Sequence, residues 1–203
     1  KGFRTEMYSG KNAPEESFIR LSGALAPSLI HLSTHGFYLP DTISEMNRKS
    51  LGNSISGAIQ FRYSEDPLLR SGLLMTGANL TWKGLPRPHG TEDGILTARE
   101  VSNLNLLNTE VVVLSVCQTG LGDVKGSEGV EGLQRGFKMA GARYIIMSLW
   151  EVPDRETTEF MTVFYDTWLG GKGIRDAFNV TQAQMRNKYR ANPFKWAGFV
   201  LVE

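Results

Sequence analysis

One cysteine in 203 residues, Cys117, and three histidines, His31, His35 and His89, leave little material for disulfide or metal chemistry. A lone cysteine excludes an internal disulfide and fits a reducing, cytoplasmic setting. His31 and His35 stand four residues apart, which invites a zinc reading. They lie in an extended run, however, without the helix or the adjacent glutamate of a metalloprotease motif. The Gly-rich segment 120–129 lacks the Gly-Lys-Ser/Thr of a phosphate loop, so neither a metal nor a cofactor is expected. Charge of one sign is also missing. Lys plus Arg number 22 against 21 Asp plus Glu, a net charge of +1, so nothing points to nucleic acid or an anionic membrane as a partner. No apolar run approaches the roughly 20 residues of a bilayer span, and no signal peptide opens the chain.

What the chain does have is an ordinary globular composition, 41% hydrophobic and 21% charged. Its length suits one domain that buries roughly 70% of its unfolded surface. The first residue is Lys1 rather than Met, and residues 1–203 read as a single domain cut from a longer polypeptide. Apolar runs and amphipathic stretches alternate. Helices are expected over 15–25, 97–104, 128–140, 157–169 and 174–189, from apolar residues at three- and four-residue spacing. Thr97 with Glu100 has the spacing of a capping box, and Gly141 is a stop for the helix before it. Strands are expected over 28–33, 58–63, 71–78, 110–116, 144–149 and 197–202. Loops are expected over 39–67, 83–94 and 120–127. Apolar strands separated by helices imply an α/β sandwich with a largely parallel sheet. Met75, Met139, Met147, Met161 and Met185 fall on core stripes, and His89 lies in a solvated loop.

Two strand ends stand out. Leu29-Ile30-His31-Leu32 breaks into Ser33-Thr34-His35-Gly36-Phe37, and Val111-Val112-Val113-Leu114 leads through Ser115 and Val116 to Cys117-Gln118-Thr119-Gly120. If the two strands are parallel neighbours, a histidine and a thiol emerge at one sheet edge, where open α/β sheets place their sites. A thiol attacks a carbonyl as thiolate and needs a partner to take its proton, for which histidine suits neutral pH. Backbone N–H groups of Gly36 and Cys117 are candidates for the oxyanion donors. His31, on the same side of its strand as His35, is expected to pack below it. Against this stands a plain alternative: free cysteine is among the most buried residue types, and one ending a strand is more often packing than nucleophile. Asp123, Glu151 and Asp154 flank loops near the same edge. Each alone is usually solvated, but together they are candidates to line a pocket for a basic side chain.

Taken in order, these segments resemble the CHAT domain, a caspase-like peptidase domain that often follows tetratricopeptide repeats in bacterial proteins. The matching residues include Ile30-His31-Leu32-Ser33-Thr34-His35-Gly36-Phe37, Pro67-Leu68-Leu69-Arg70-Ser71-Gly72-Leu73 and Asp93-Gly94-Ile95-Leu96-Thr97-Ala98. They continue with Val113 to Gly120, Ser127-Glu128-Gly129-Val130-Glu131-Gly132-Leu133, Ser148-Leu149-Trp150-Glu151-Val152-Pro153-Asp154 and Trp196-Ala197-Gly198-Phe199-Val200-Leu201. The resemblance implies a three-layer caspase/separase-like sandwich and a dyad of His35 as base and Cys117 as nucleophile. It carries a specificity-pocket role to Asp154 and, less directly, Glu151, with Asp123 able to reshape the pocket. It implies a cysteine endopeptidase acting on a protein or peptide substrate and held in check by an attached repeat or sensor region. A latent or catalytically silent scaffold is the alternative from another class. A small-molecule acyl transferase or hydrolase is a third, without any cofactor fingerprint to support it.

Overall fold

A computed structural model describes residues 4–39, 66–115, 117–118 and 128–203. The segment expected as a loop with a strand over 58–63 falls outside these residues apart from its ends, as do the loop over 120–127 and Asp123. Among the described residues the strands are β1 (Leu29–Leu32), β2 (His35–Tyr38), β3 (Ser71–Leu74), β4 (Ile95–Thr97), β5 (Val111–Leu114), β6 (Cys117–Gln118), β7 (Tyr144–Ser148) and β8 (Phe199–Val202). The helices are α1 (Glu15–Ile19), α2 (Ala78–Trp82), α3 (Ala98–Ser102), α4 (Glu128–Met139), α5 (Asp154–Leu169) and α6 (Ile174–Lys188).

The main sheet has the order β1-β5-β7-β8. The first three strands are parallel, with Leu32, Leu114 and Met147 in register, and β8 runs antiparallel along β7. Every residue of β5 is buried, as expected of a strand covered on both faces. Alternation then divides the core. Ile30, Val112, Leu114 and Ile145 pack with Phe18 of α1 and with Leu133 and Phe137 of α4. Val111, Val113 and Ile146 face the other way and pack with Phe160 and Phe164 of α5, Phe178 of α6, and Phe199. The result is the expected three-layer sandwich, helices on both faces of a mostly parallel sheet.

A second sheet, of order β4-β3-β2-β6, continues beyond the C-terminal ends of β1 and β5. Its pairs β2/β3 and β3/β4 are antiparallel, and β2/β6 is parallel. Helix α4 lies close against it and against α3 because the helix carries glycines where it touches. A Cβ on Gly132 would stand 2.1 Å from Ser71 Oγ, and one on Gly136 would stand 2.6 Å from the Ala98 carbonyl. Each glycine costs the helix about 1 kcal/mol against alanine, and that approach is what it permits.

Several boundaries differ from expectation for local reasons. The first helix stops at Ile19, and Gly23, at φ +64°, begins a separate 3-10 turn that leaves Leu25 exposed. The strand at 71 ends at Leu74; Gly77, at φ +101°, turns the chain into α2, which begins at Ala78. Helix α5 starts three residues early, at Asp154 behind Pro153. The capping box is present as expected: Thr97 Oγ1 accepts from the Glu100 N–H while Glu100 Oε2 accepts from the Thr97 N–H. Met139 is 53% exposed rather than on the core face, because Leu133, Phe137 and Ala140 already fill that face.

Candidate active site

A cleft of about 620 Å³ opens at the C-terminal ends of β1, β5 and β7 and is walled by α5. Hydroxyls of Ser33, Ser115 and Ser148 line it from the strand ends, and His31 and His35 both reach it. Met161, Val152 and Phe199 supply its apolar wall. The mostly parallel main sheet thus puts its cleft at the edge where such sheets place ligands.

The step from core sheet to site takes two residues on each strand. After β1, Thr34 Oγ1 donates to the Leu74 carbonyl at 2.6 Å and fixes the crossing into β2. After β5, the Ser115 N–H donates to the Leu32 carbonyl at 2.9 Å and holds the second crossing beside the first. The backbones then pair again as β2 and β6, with His35 in register with Cys117 and Gly36 with Gln118. Paired strands stand about 4.8 Å apart. His35 is exposed, and Gly36 is buried.

A second polar group sits on the α5 side of the cleft. His31 Nε2 lies 3.0 Å from Ser115 Oγ, and His31 Nδ1 lies 2.9 Å from Tyr165 Oη. The register explains the meeting: Val113 and Ser115 alternate onto the face that α5 covers, and His31 pairs with Val113. Although His31 has an open edge, the surrounding protein strips enough water to lower its pKa and favour the neutral ring. The same desolvation pushes the Tyr165 phenol above its ordinary pKa. The expected packing of His31 beneath His35 is thus a shared cleft, with His31 tied to a helix that sequence reasoning did not connect to it.

The acidic candidates separate. Asp154, the first residue of α5, lines the cleft and is exposed. Glu151 is exposed and is not among the residues lining the cleft. The segment carrying them is held by Trp150, whose ring stacks on Phe194 at 5.2 Å and whose Nε1 donates to the Phe194 carbonyl. Gly198 lies under the same ring, where a Cβ would come within 2.8 Å. Two motifs distant in sequence, 148–154 and 196–201, therefore form one structural unit at the mouth of the cleft.

Comparison with known proteins gives two findings. The family described as the CHAT domain matches residues 2–203. Two curated mammalian proteins, each named tetratricopeptide repeat protein 28, are similar over 112 residues: the mouse protein is 34% and the human protein 35% identical. The aligned stretch covers 53% of this chain but only 4% of either relative. Among the described residues, no helix is long and apolar enough to cross a membrane.

Proposed function

The chain belongs to the CHAT domain family, and from that premise we propose that it is a cysteine endopeptidase in which His35 is the base and Cys117 the nucleophile. The observation that carries the reading is the register of His35 with Cys117 on adjacent parallel strands. In-register positions of such a pair share one face of the ladder. In the reaction His35 accepts the thiol proton, and the sulfur bonds to the carbonyl carbon of a peptide. The N–H groups of Gly36 and Cys117 are the proposed donors to the oxyanion. Collapse breaks the C–N bond, and His35 returns the proton to the leaving amine. Water then hydrolyses the thioester.

The cleft beside His35 is the proposed place for substrate side chains. Asp154 is its one carboxylate among the described lining residues, which favours a basic side chain near that end. Regulation by an attached repeat region, in a cytoplasmic polypeptide longer than this chain, is part of the same proposal. Its support is the tetratricopeptide repeat named in both mammalian relatives.

The test is proteolysis of a diverse peptide mixture, read by new N-termini. Cys117→Ala should lower cleavage by at least about 10²–10⁴-fold, and Asp154→Asn should weaken any preference for basic side chains. Equal cleavage by wild type and Cys117→Ala would discard the peptidase and leave the scaffold reading. A basic preference unchanged in Asp154→Asn would remove that residue from the pocket.

A further inference from the structure

Tyr165, His31 and Ser115 form a hydrogen-bonded chain with a hydrogen to spare. Neutral His31 carries one N–H, and Tyr165 and Ser115 each carry one O–H. The two bonds of the chain, at 2.9 and 3.0 Å, use two of these three hydrogens. If Tyr165 donates to Nδ1, then Nε2–H donates to Ser115 Oγ and the Ser115 O–H is left over. If the chain runs the other way, the Tyr165 O–H is left over. Both residues line the cleft, and neither hydroxyl has another hydrogen-bond partner among the described residues. In either direction the chain ends in an O–H donor facing the cleft that no described protein group accepts from.

We propose that this end of the cleft is a subsite for an uncharged hydrogen-bond acceptor, the carbonyl oxygen of a substrate side-chain carboxamide. The proposal rests on the cleft being the substrate channel. A carboxylate is disfavoured because no lysine or arginine lines the described cleft and Asp154 already contributes negative charge. A cation is better served at the Asp154 end, where the carboxylate of the described cleft stands. The subsite is also separate from Asp154. Eleven residues along α5 set Tyr165 about 16 Å from it, so the two ends of the cleft read different features of a bound chain. The phenol is the stronger donor, so the favoured direction is Tyr165 to His31 to Ser115, with the Ser115 hydroxyl presented to the substrate.

The test uses tetrapeptidyl acyloxymethyl ketones in which glutamine replaces methionine, its near-isostere, at one position at a time. The readout is the second-order rate of Cys117 labelling, with methyl methanethiosulfonate as the small thiol probe that carries no carboxamide. In the wild type, glutamine at one position should label up to about 10-fold faster than methionine, as expected for the net gain of one hydrogen bond. Ser115→Ala should reduce that ratio to near one. Tyr165→Phe, which keeps the ring, should reduce it partly by releasing the His31 tautomer. A ratio near one at every position in the wild type, or a ratio that survives in Ser115→Ala, would overturn the subsite. If no peptide labels the wild type faster than it labels an ordinary exposed thiol, the peptidase reading fails separately. The subsite is then judged by the ring ¹⁵N resonances of His31 on titration with propionamide. A shift in the wild type that Ser115→Ala abolishes upholds it, and no shift overturns it.

Discussion

The main sheet of this domain and the short β2/β6 pair beyond it are built on different terms. The main sheet is held by side chains: β5 is buried along its whole length, and aromatic rings close over one face. Phe160 alone stacks on Phe199 at 4.1 Å and meets Phe178 edge-on at 5.6 Å. The second sheet is packed through β3 and β4, where Leu73, Ile95 and Leu96 are buried, and the crossing into it is fixed by single hydrogen bonds such as Thr34 to the Leu74 carbonyl. Its β2/β6 pair is two residues long in register and carries His35 beside Cys117. The candidate chemistry sits at the short β2/β6 pair, two residues of chain beyond the main sheet on each strand. An exposed position there, such as His35, can be changed at little cost to the packed core.

The sharpest way to break that comparison is to substitute one residue in each region. Phe160→Ala should cost about 3–5 kcal/mol in urea unfolding, the range for removing a buried phenylalanine. His35→Ala, at an exposed position, should cost less than about 0.5 kcal/mol while suppressing peptide labelling of Cys117. Comparable destabilisation by both would mean that the His35 position also carries the fold.

A smaller effect sharpens the boundary between the regions, where α1 meets the segment leading into β4. Glu15 is 1% exposed, and its Oε2 accepts from the Gly94 N–H at 2.8 Å. Desolvation first, then the charges of Glu100 and Asp93, pushes its pKa up to about 8. The folded protein therefore keeps this proton between about pH 4.5 and 8 while the unfolded chain releases it. Its contribution is fully present below about pH 4.5 and is lost as pH rises through about 8. Glu15→Gln keeps the acceptor and cannot ionise, so its urea midpoint should exceed that of the wild type at pH 9. A wild-type midpoint that does not fall from pH 6 to 9 relative to Glu15→Gln would contradict the assignment. The smallest expected effect is at the α3 cap. Thr97→Ala should lose about 1 kcal/mol, measured by the same unfolding, with no change in Cys117 labelling.

The sequence discloses the two regions unequally. Long helices and the fully buried strands are legible because burial imposes a pattern: Ile174, Ala177, Phe178, Thr181 and Met185 form the stripe that α6 buries. The Thr97–Glu100 cap is legible because it needs two residue types at a fixed spacing. The short strands β2, β4 and β6 are not, since two to four residues hold no period. The pairing of His35 with Cys117 was visible only as two strand ends with suggestive residues, because register is a property of two segments together. The chain from Tyr165 through His31 to Ser115 was hidden for the same reason, joining positions 134 and 84 residues apart. The exposure of Met139 shows the converse error, in which an apolar residue beside a filled face was counted into the core.

The central claim is that Cys117 is a nucleophile served by His35. It is tested most directly by the labelling rate of Cys117 with peptidyl electrophiles bearing Arg, Lys, Leu, Met or Asp next to the reactive group, in wild type and His35→Ala. The account predicts fast labelling that depends on the peptide's terminal residue and falls by at least about 10²-fold without the base. Labelling no faster than that of an ordinary exposed thiol, and equal in both proteins, would contradict it.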